Sequence, residues 1–386
     1  MADYVARVEE GAQVFFQFND CSYTVGKGPN AKVLIRDISG SVRGGHLLAI
    51  MGPSGAGKTV LMRLLTLEKG TGVPRGSLKL NGQPFTRTLF RKACAYVTQI
   101  DRHCAFLTAR EHLEVAISLF QSDRSPAEQV VLVDELLKKM GLISCQHTRA
   151  GNEFIRGLSG GQSRRLSLGV ALSKDPALVF LDEPTSGLDA AAASSVMDFL
   201  KKSAASTRAA IICTIHQPSY RVFSGFDDTL ILSVGRTAYF GAASELRSYL
   251  DKIGRPVLDG SNPPEHMLDL VNKDFSSAEG VDAILAHFKY VSAPTPLGSP
   301  SLADRCKTPL VSETWILFKK LLKLVVKDPI LYVGRSVAFL VFCAFFAIVY
   351  VKARDVKQDQ LLSRLFFIMW ICGVRQLEPS QWPVHR

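Results

Sequence analysis

The sequence predicts an α/β protein with a parallel-sheet core, an antiparallel β subdomain and a helical subdomain, followed by helices that meet a membrane. Three observations carry this. The phosphate-binding loop Gly52-Pro53-Ser54-Gly55-Ala56-Gly57-Lys58-Thr59 follows the apolar run Leu47–Met51 and precedes apolar residues at helical spacing, Val60, Leu61, Leu64 and Leu65. Three more apolar runs, 93–97, 177–181 and 209–215, lead into Gln99, Asp182-Glu183 and His216. Finally, the stretch 330–351 has Arg335 as its only charge.

In chain order, residues 11–50 read as strands with a turn at 26–30, and 76–99 as further strand. Tyr23, in the first of these strands, either stacks on an adenine ring or packs in the sheet core. Residues 105–150 switch to helical periodicity through Val130, Val131, Val133, Leu136, Leu137 and Met140, stopped by Gly141. A helix from the 157–165 run extends to about Ser173. Two buried-type strands then alternate with helix, two short strands follow at 229–234 and 237–240, and helices follow at 244–250 and after Asn262-Pro263. Residues 291–309 contain four prolines with Ser and Gly, a linker composition.

From 312 to 327, Trp315, Phe318, Leu322 and Val325 line one helical face, with Lys319, Lys320, Lys323 and Lys327 mainly on the other. Such a basic amphipathic helix suits a membrane surface, and 330–351 is long enough to span the roughly 30 Å hydrocarbon core. The net charge of +11 admits nucleic acid or an anionic membrane. Its distribution decides for the membrane: Arg305, Lys307, the four helix lysines and Arg335 precede the span, against Lys352, Arg354 and Lys357 after it. That asymmetry places the N-terminal part in the cytosol. The eight cysteines include no C-x-x-C pair, which fits reduced thiols rather than a metal or disulfide framework. Residues 1–10 hold no apolar signal-peptide core.

The chemistry follows from residue types. Glycines at 52, 55 and 57 let main-chain N–H groups converge on phosphate oxygens, Lys58 reaches the β- and γ-phosphates, and Thr59 offers a hydroxyl to Mg²⁺. In a parallel sheet, ligands bind beyond the carboxyl ends of the strands, so the loop, Gln99, Asp182, Glu183 and His216 converge. Ser159 is a good N-cap, and Gly160-Gly161 open a helix start to close anion approach, a second anion site.

Together these motifs resemble an ATP-binding-cassette (ABC) transporter of the G subfamily, the White and pleiotropic-drug-resistance type, whose fold is a P-loop NTPase cassette. The resemblance rests on the loop 52–59, Tyr96-Val97-Thr98-Gln99, the signature Leu158-Ser159-Gly160-Gly161-Gln162, the run 177–183, Ser186-Gly187-Leu188-Asp189 and His216, in that order. The subfamily is indicated by 150–157, 214–219, Asn262-Pro263 and the cassette-first order. One departure is Gln162-Ser163-Arg164-Arg165, where G-subfamily members more often have Glu and a basic triplet. The resemblance implies ATP and Mg²⁺ as ligands, with Thr59, Gln99 and Asp182 at the metal and Glu183 orienting and deprotonating the attacking water. His216 then contacts the γ-phosphate, and Ser159, Gly160, Gly161, Gln162 and Asp189 serve the nucleotide of an opposite cassette.

The expected organisation is a nucleotide-binding domain over 11–275, with its helical subdomain at about 105–170, and a linker over 276–311. An amphipathic connecting helix over 312–328 and an incomplete transmembrane domain over 330–386 follow, with a partial second span at 361–374. The expected function is the ATP-hydrolysing subunit of a dimeric membrane exporter of a lipophilic substrate. A truncated, non-transporting ATP-binding fragment or a regulatory partner subunit is the alternative. A soluble ABC ATPase acting on nucleic acid is disfavoured by the charge distribution and the single cassette.

Overall fold

The computed structural model describes residues 14–26, 28, 31–258, 261–272, 278–288, 290, 310–327 and 329–349. The expected linker 291–309, the span's last residues 350–351, the partial second span 361–374 and turn positions Lys27, Pro29 and Asn30 lie outside the described residues.

Aromatic and β-branched residues make β1 (Phe15–Val25) and β2 (Lys32–Arg43), which pair antiparallel starting at Phe15↔Arg43. The fully buried β3 (Leu47–Met51) runs into α1 (Lys58–Leu65), capped by Gly57 in the left-handed region. Next come β4 (Val73–Leu80), β5 (Gln83–Pro84), α2 (Arg87–Ala93) and β6 (Cys94–Val97). The expectation of strand throughout 76–99 is therefore corrected. Thr86 caps a helix by accepting from the Leu89 N–H at 3.3 Å, and strand resumes only at Cys94.

The helical insertion consists of α3 (Ala109–Phe120), α4 (Pro126–Lys139) and α5 (Gly160–Leu172). Each opens with a reciprocal capping box: Thr108 with Glu111, Ser125 with Glu128, and Ser159 with Gln162. Such a cap stabilises a helix by about 1 kcal/mol. On α4 the buried stripe is Leu132, Val133, Leu136 and Leu137, while Val130 and Val131 face solvent, off the expected face.

Completing the cassette are β7 (Leu178–Leu181), α6 (Ala190–Thr207), β8 (Ala210–Thr214), α7 (Tyr220–Phe223), β9 (Asp228–Ser233) and β10 (Arg236–Ala242). They are followed by α8 (Leu246–Lys252), α9 (Pro263–Leu270) and α10 (Ala278–His287). Helix α10 falls where a linker was expected. Its Val281, Ile284 and Leu285 join the same core as the sheet, so the folded part continues past 275.

Two sheets result. The antiparallel one runs β2-β1-β4-β5; the other runs β10-β9-β3-β8-β7-β6. In the second, β9, β3, β8, β7 and β6 are parallel, and β10 is antiparallel to β9. Because successive strand residues point to opposite faces, β3 sends Leu47, Ala49 and Met51 to one core and Leu48 and Ile50 to the other. The first core is roofed by the helices; the second joins α1 and the antiparallel sheet through Phe16, Phe18 and Phe180.

The remaining helices are α11 (Leu310–Lys327) and α12 (Pro329–Val349). On α11, Trp315, Phe318 and Leu322 are exposed, and so is every described side chain of α12, residues 334–345. Among the described residues no helix is long and apolar enough to cross a membrane, so the expected span 330–351 is not shown.

Candidate functional site

Strands β3, β8, β7 and β6 are consecutive neighbours in one parallel sheet, so their carboxyl ends share an edge. The loop after β3 turns back on itself because Gly52 and Gly57 stand at φ 153° and 104°. A Cβ at Gly52 would lie 2.4 Å from the Leu232 carbonyl oxygen, and one at Gly57 2.6 Å from Ile35 Cγ2. The Lys58 side chain folds over the loop, its Nζ donating to the carbonyls of Gly52 (2.6 Å) and Pro53 (3.1 Å). Burial pulls its ammonium below the ordinary lysine range, opposed by the nearby Glu183 carboxylate. Ser54, Gly55 and Thr59 are exposed.

Beyond β7, Asp182 accepts from the Thr214 hydroxyl at 2.7 Å and faces the Tyr96 hydroxyl at 3.5 Å. Burial first, and Asp182 second, push the Tyr96 phenol up to about 12, so it stays a donor. Glu183 sits at φ 46°, a conformation that costs a non-glycine residue about 1–3 kcal/mol unless its surroundings impose it. Here its N–H donates to Thr214 Oγ1 at 2.9 Å, and its carboxylate accepts from Gln99 Nε2 at 2.7 Å. Lys58, Gln99, Asp182 and Glu183 are thus brought together, with Thr214 of the intervening β8 bracing the two acidic residues. His216, two residues past β8, is exposed and makes no hydrogen bond among the described residues.

The signature residues form a separate cluster. Ser159 and Gln162 satisfy each other, Gln162 Oε1 accepting from the Ser159 N–H at 2.9 Å. Ser159, Gly160, Gly161, Gly187, Leu188 and Asp189 border a cavity of about 200 Å³. Asp189 caps α6 by accepting from the Ala192 N–H at 2.7 Å. No hydrogen bond among the described residues joins Ser159–Gln162 to the phosphate loop. Tyr23 is also apart: its hydroxyl accepts from the Gly72 N–H at 2.9 Å, and its ring fills the space a Cβ on Gly70 or Gly72 would need.

Sequence reasoning gave Arg164 no role of its own. Its side chain is 4% exposed and pairs with Asp101 at 3.0 Å. It also donates to the carbonyls of Thr98 (2.6 Å), Gln99 (3.4 Å), Asp182 (2.7 Å), Glu183 (3.1 Å) and Pro184 (3.3 Å). The available signal was its place in the series Arg164, Leu168, Leu172, the buried i, i+4, i+8 stripe of α5.

A phosphate-cradling loop at a helix start, paired carboxylates at the next strand but one and a capped Gly-Gly helix define a nucleotide-binding cassette. Residues 35–186 match the family described as ABC transporter, and residues 216–283 the family described as ABC-2 type transporter. The chain belongs to the ABC transporters and carries their ATP-binding, ATPase domain. It is 36% identical over 307 residues to ABC transporter G family member STR of Petunia hybrida, covering 77% of this chain and 37% of that protein. It is 39% identical over 267 residues to G family member 7 of Arabidopsis thaliana (68% and 36%), and 38% over 269 residues to G family member 1 of Dictyostelium discoideum (67% and 34%). The chain spans little more than a third of the length of these relatives. The 216–283 match covers β9, β10 and α7–α9, which pack in the cassette core; it speaks to family, not to a membrane position.

Proposed function

We propose that this chain is the ATP-hydrolysing subunit of a G-family membrane exporter, working as a dimer in which two cassettes enclose two ATP molecules. The observation that carries the proposal is the joining of Lys58, Gln99, Asp182 and Glu183 at one sheet edge while the signature cluster stands apart. A site split in this way is completed by the signature of a second cassette, its own twin or a related subunit.

In this reading the triphosphate takes Lys58 Nζ from the carbonyls of Gly52 and Pro53, and the N–H groups of 54–59 hold its oxygens. Glu183 orients the attacking water and accepts its proton, and Gln99 fixes the Glu183 carboxylate. His216 donates to the γ-phosphate, and its exposed ring needs to break no existing bond to do so. Thr59, Asp182 and Gln99 would hold Mg²⁺. They supply the hard oxygens this ion prefers, and reliance on one carboxylate plus substrate phosphates is its usual habit. Bound with the nucleotide, Mg²⁺ supplies neutralisation of phosphate charge. Ser159, Gly160, Gly161, Gln162 and Asp189 of the second cassette face the γ-phosphate. Tyr23 walls the adenine side.

The domain order proposed is a cassette facing the cytosol, helix 312–328 lying on the bilayer and residues 330–351 entering it, with a lipophilic substrate. ATP turnover by the purified chain tests the core of the proposal. Steady-state hydrolysis that rises with protein concentration and disappears in Glu183→Gln is expected. ATP binding without any turnover would reject it.

A further inference from the structure

One side chain to which the proposed mechanism assigns nothing stands on the signature helix and bonds the segments that carry both members of the hydrolytic pair. Arg164 stands on α5 only one turn beyond the Ser159 cap. Its acceptors lie on two other segments. Thr98, Gln99 and Asp101 follow β6, and Asp182, Glu183 and Pro184 follow β7. All three of its nitrogens donate. The residue is 3% exposed, so these bonds stand in for water almost completely.

Its counter-charge is held as firmly. Asp101 Oδ1 accepts from Arg164 at 3.0 Å and from the Ser167 hydroxyl, one turn along α5, at 2.6 Å. Ser167 Oγ also lies 3.0 Å from His103 Nε2, which in turn lies 3.2 Å from the Ser163 carbonyl oxygen. The segment 98–103 is therefore fastened to α5 from three sides.

Two of the carbonyls that Arg164 holds belong to Gln99 and Glu183, whose side chains bond each other at 2.7 Å. Glu183 keeps its left-handed backbone between two grips, Thr214 Oγ1 on its N–H and Arg164 on its carbonyl. A rigid helix with the signature at its tip thus carries one planar fork that fixes the backbone of both groups acting on the water.

We propose that Arg164 is a positioning residue for ATP hydrolysis: it locks the backbones of Gln99 and Glu183 to the signature helix, so that seating of the signature sets the geometry of the water-activating pair. Arg164 touches neither nucleotide nor water and acts through Glu183. A lysine cannot replace it, because a single ammonium cannot span carbonyls on two segments as a planar guanidinium does.

This inference rests on the ATPase reading above, and the test separates the two. ATP affinity, thermal unfolding and steady-state hydrolysis are measured on the full chain as wild type, Arg164→Lys and Asp101→Asn. Arg164→Lys is expected to melt cooperatively and to bind ATP within about threefold of wild type, while kcat falls by about 100-fold, the scale of a 1 Å misplacement at a reacting centre. Should Arg164→Lys fail to fold, Asp101→Asn carries the test, since it keeps the acceptor for Arg164 and Ser167 and removes only the counter-charge. A kcat loss of about tenfold with unchanged affinity is then expected. Wild-type kcat in a folded variant overturns the proposal, as does a loss of affinity that matches the loss of kcat, the mark of a purely structural role. Absence of ATP turnover in the wild type overturns the parent reading and this one together, and is seen before any variant is compared.

Discussion

Gln99 Nε2 donates to Glu183 Oε2 at 2.7 Å, joining the end of β6 to the end of β7. A glutamine at 183 can keep that bond by turning its amide oxygen toward Gln99, so Glu183→Gln removes proton-accepting ability while leaving the shape. The expected outcome is ATP affinity within about threefold of wild type and a kcat lower by at least about 100-fold, the contribution typical of a positioned base. Single-turnover hydrolysis and equilibrium ATP binding measure the two separately. Undiminished turnover removes Glu183 from the role of base.

Lys58 has its charge buried against two carbonyls, and its pKa is lowered by desolvation. Nucleotide phosphate needs the charged form, so ATP affinity is expected to weaken as pH rises toward the depressed lysine value, below where an ordinary lysine titrates. The linkage to stability has the opposite sense. The folded state binds this proton less tightly than the unfolded chain, so the charged-lysine penalty is full below the depressed value and is relieved as pH rises from it to the ordinary lysine value. Lys58→Ala should bind ATP about 10–100-fold more weakly, the worth of one charge-assisted contact, and should lose the alkaline dependence. Titration calorimetry at several pH values reads both effects.

Much of this site was legible because its residues are dictated by local backbone needs. Gly52 and Gly57 have no room for a Cβ, so their spacing is written in the sequence, and the apolar strands stop where polar groups must meet a ligand. Arg164 was not legible as a functional residue. Its partners are main-chain carbonyls, which any residue supplies, and an arginine in a polar run reads as solvated helix surface. Helix α2 was hidden for a similar reason: Thr86 caps it from within a stretch that also suits a strand. Helix α10 was masked by the proline-rich composition that follows it.

Tyr23 holds the 70–72 loop through the Gly72 N–H. Tyr23→Phe keeps the ring and removes that acceptor, so it should lower stability by about 1 kcal/mol and leave ATP affinity unchanged. Tyr23→Ala removes the wall as well. If the ring also borders adenine, ATP binding by the alanine variant weakens more than GTP binding. Equal effects on both nucleotides confine Tyr23 to packing.

His46 Nδ1 lies 3.2 Å from Asp228 Oδ2, and that hydrogen bond, with smaller help from the Asp228 and Asp227 charges, raises the imidazole pKa against burial and Arg43. A raised histidine pKa gives stability that is complete below the unfolded value near 6.5 and is lost as pH rises through the folded value. The pair is partly exposed, so the effect is at most about 1 kcal/mol. Melting temperature should therefore fall slightly from mildly acidic to neutral pH, and Asp228→Asn should flatten that slope. A slope unchanged in Asp228→Asn assigns the dependence elsewhere.

Helices α11 and α12 are where the chain is proposed to meet lipid. Trp315, Phe318 and Leu322 are 55%, 51% and 53% exposed, and Val337, Phe339, Leu340 and Phe345 are exposed on α12. Burying such a side chain is worth about 1.5–3 kcal/mol at most, so the three α11 residues add to the hold of 330–351 without replacing it. The lysines at 319, 320, 323 and 327 add attraction to anionic lipid that salt screens, whereas apolar burial is not weakened by salt. Arg335 lies near the start of 330–351, where its side chain can reach the interface. The full chain is thus expected to stay on anionic vesicles at high salt. Replacing Trp315, Phe318 and Leu322 with Ser should release it partly, and deleting 330–351 should free the cassette at high salt while leaving weak, salt-sensitive attachment through α11. Flotation of the three proteins at low and high salt distinguishes these outcomes. A deletion variant that still floats at high salt would show that 330–351 is not the main anchor.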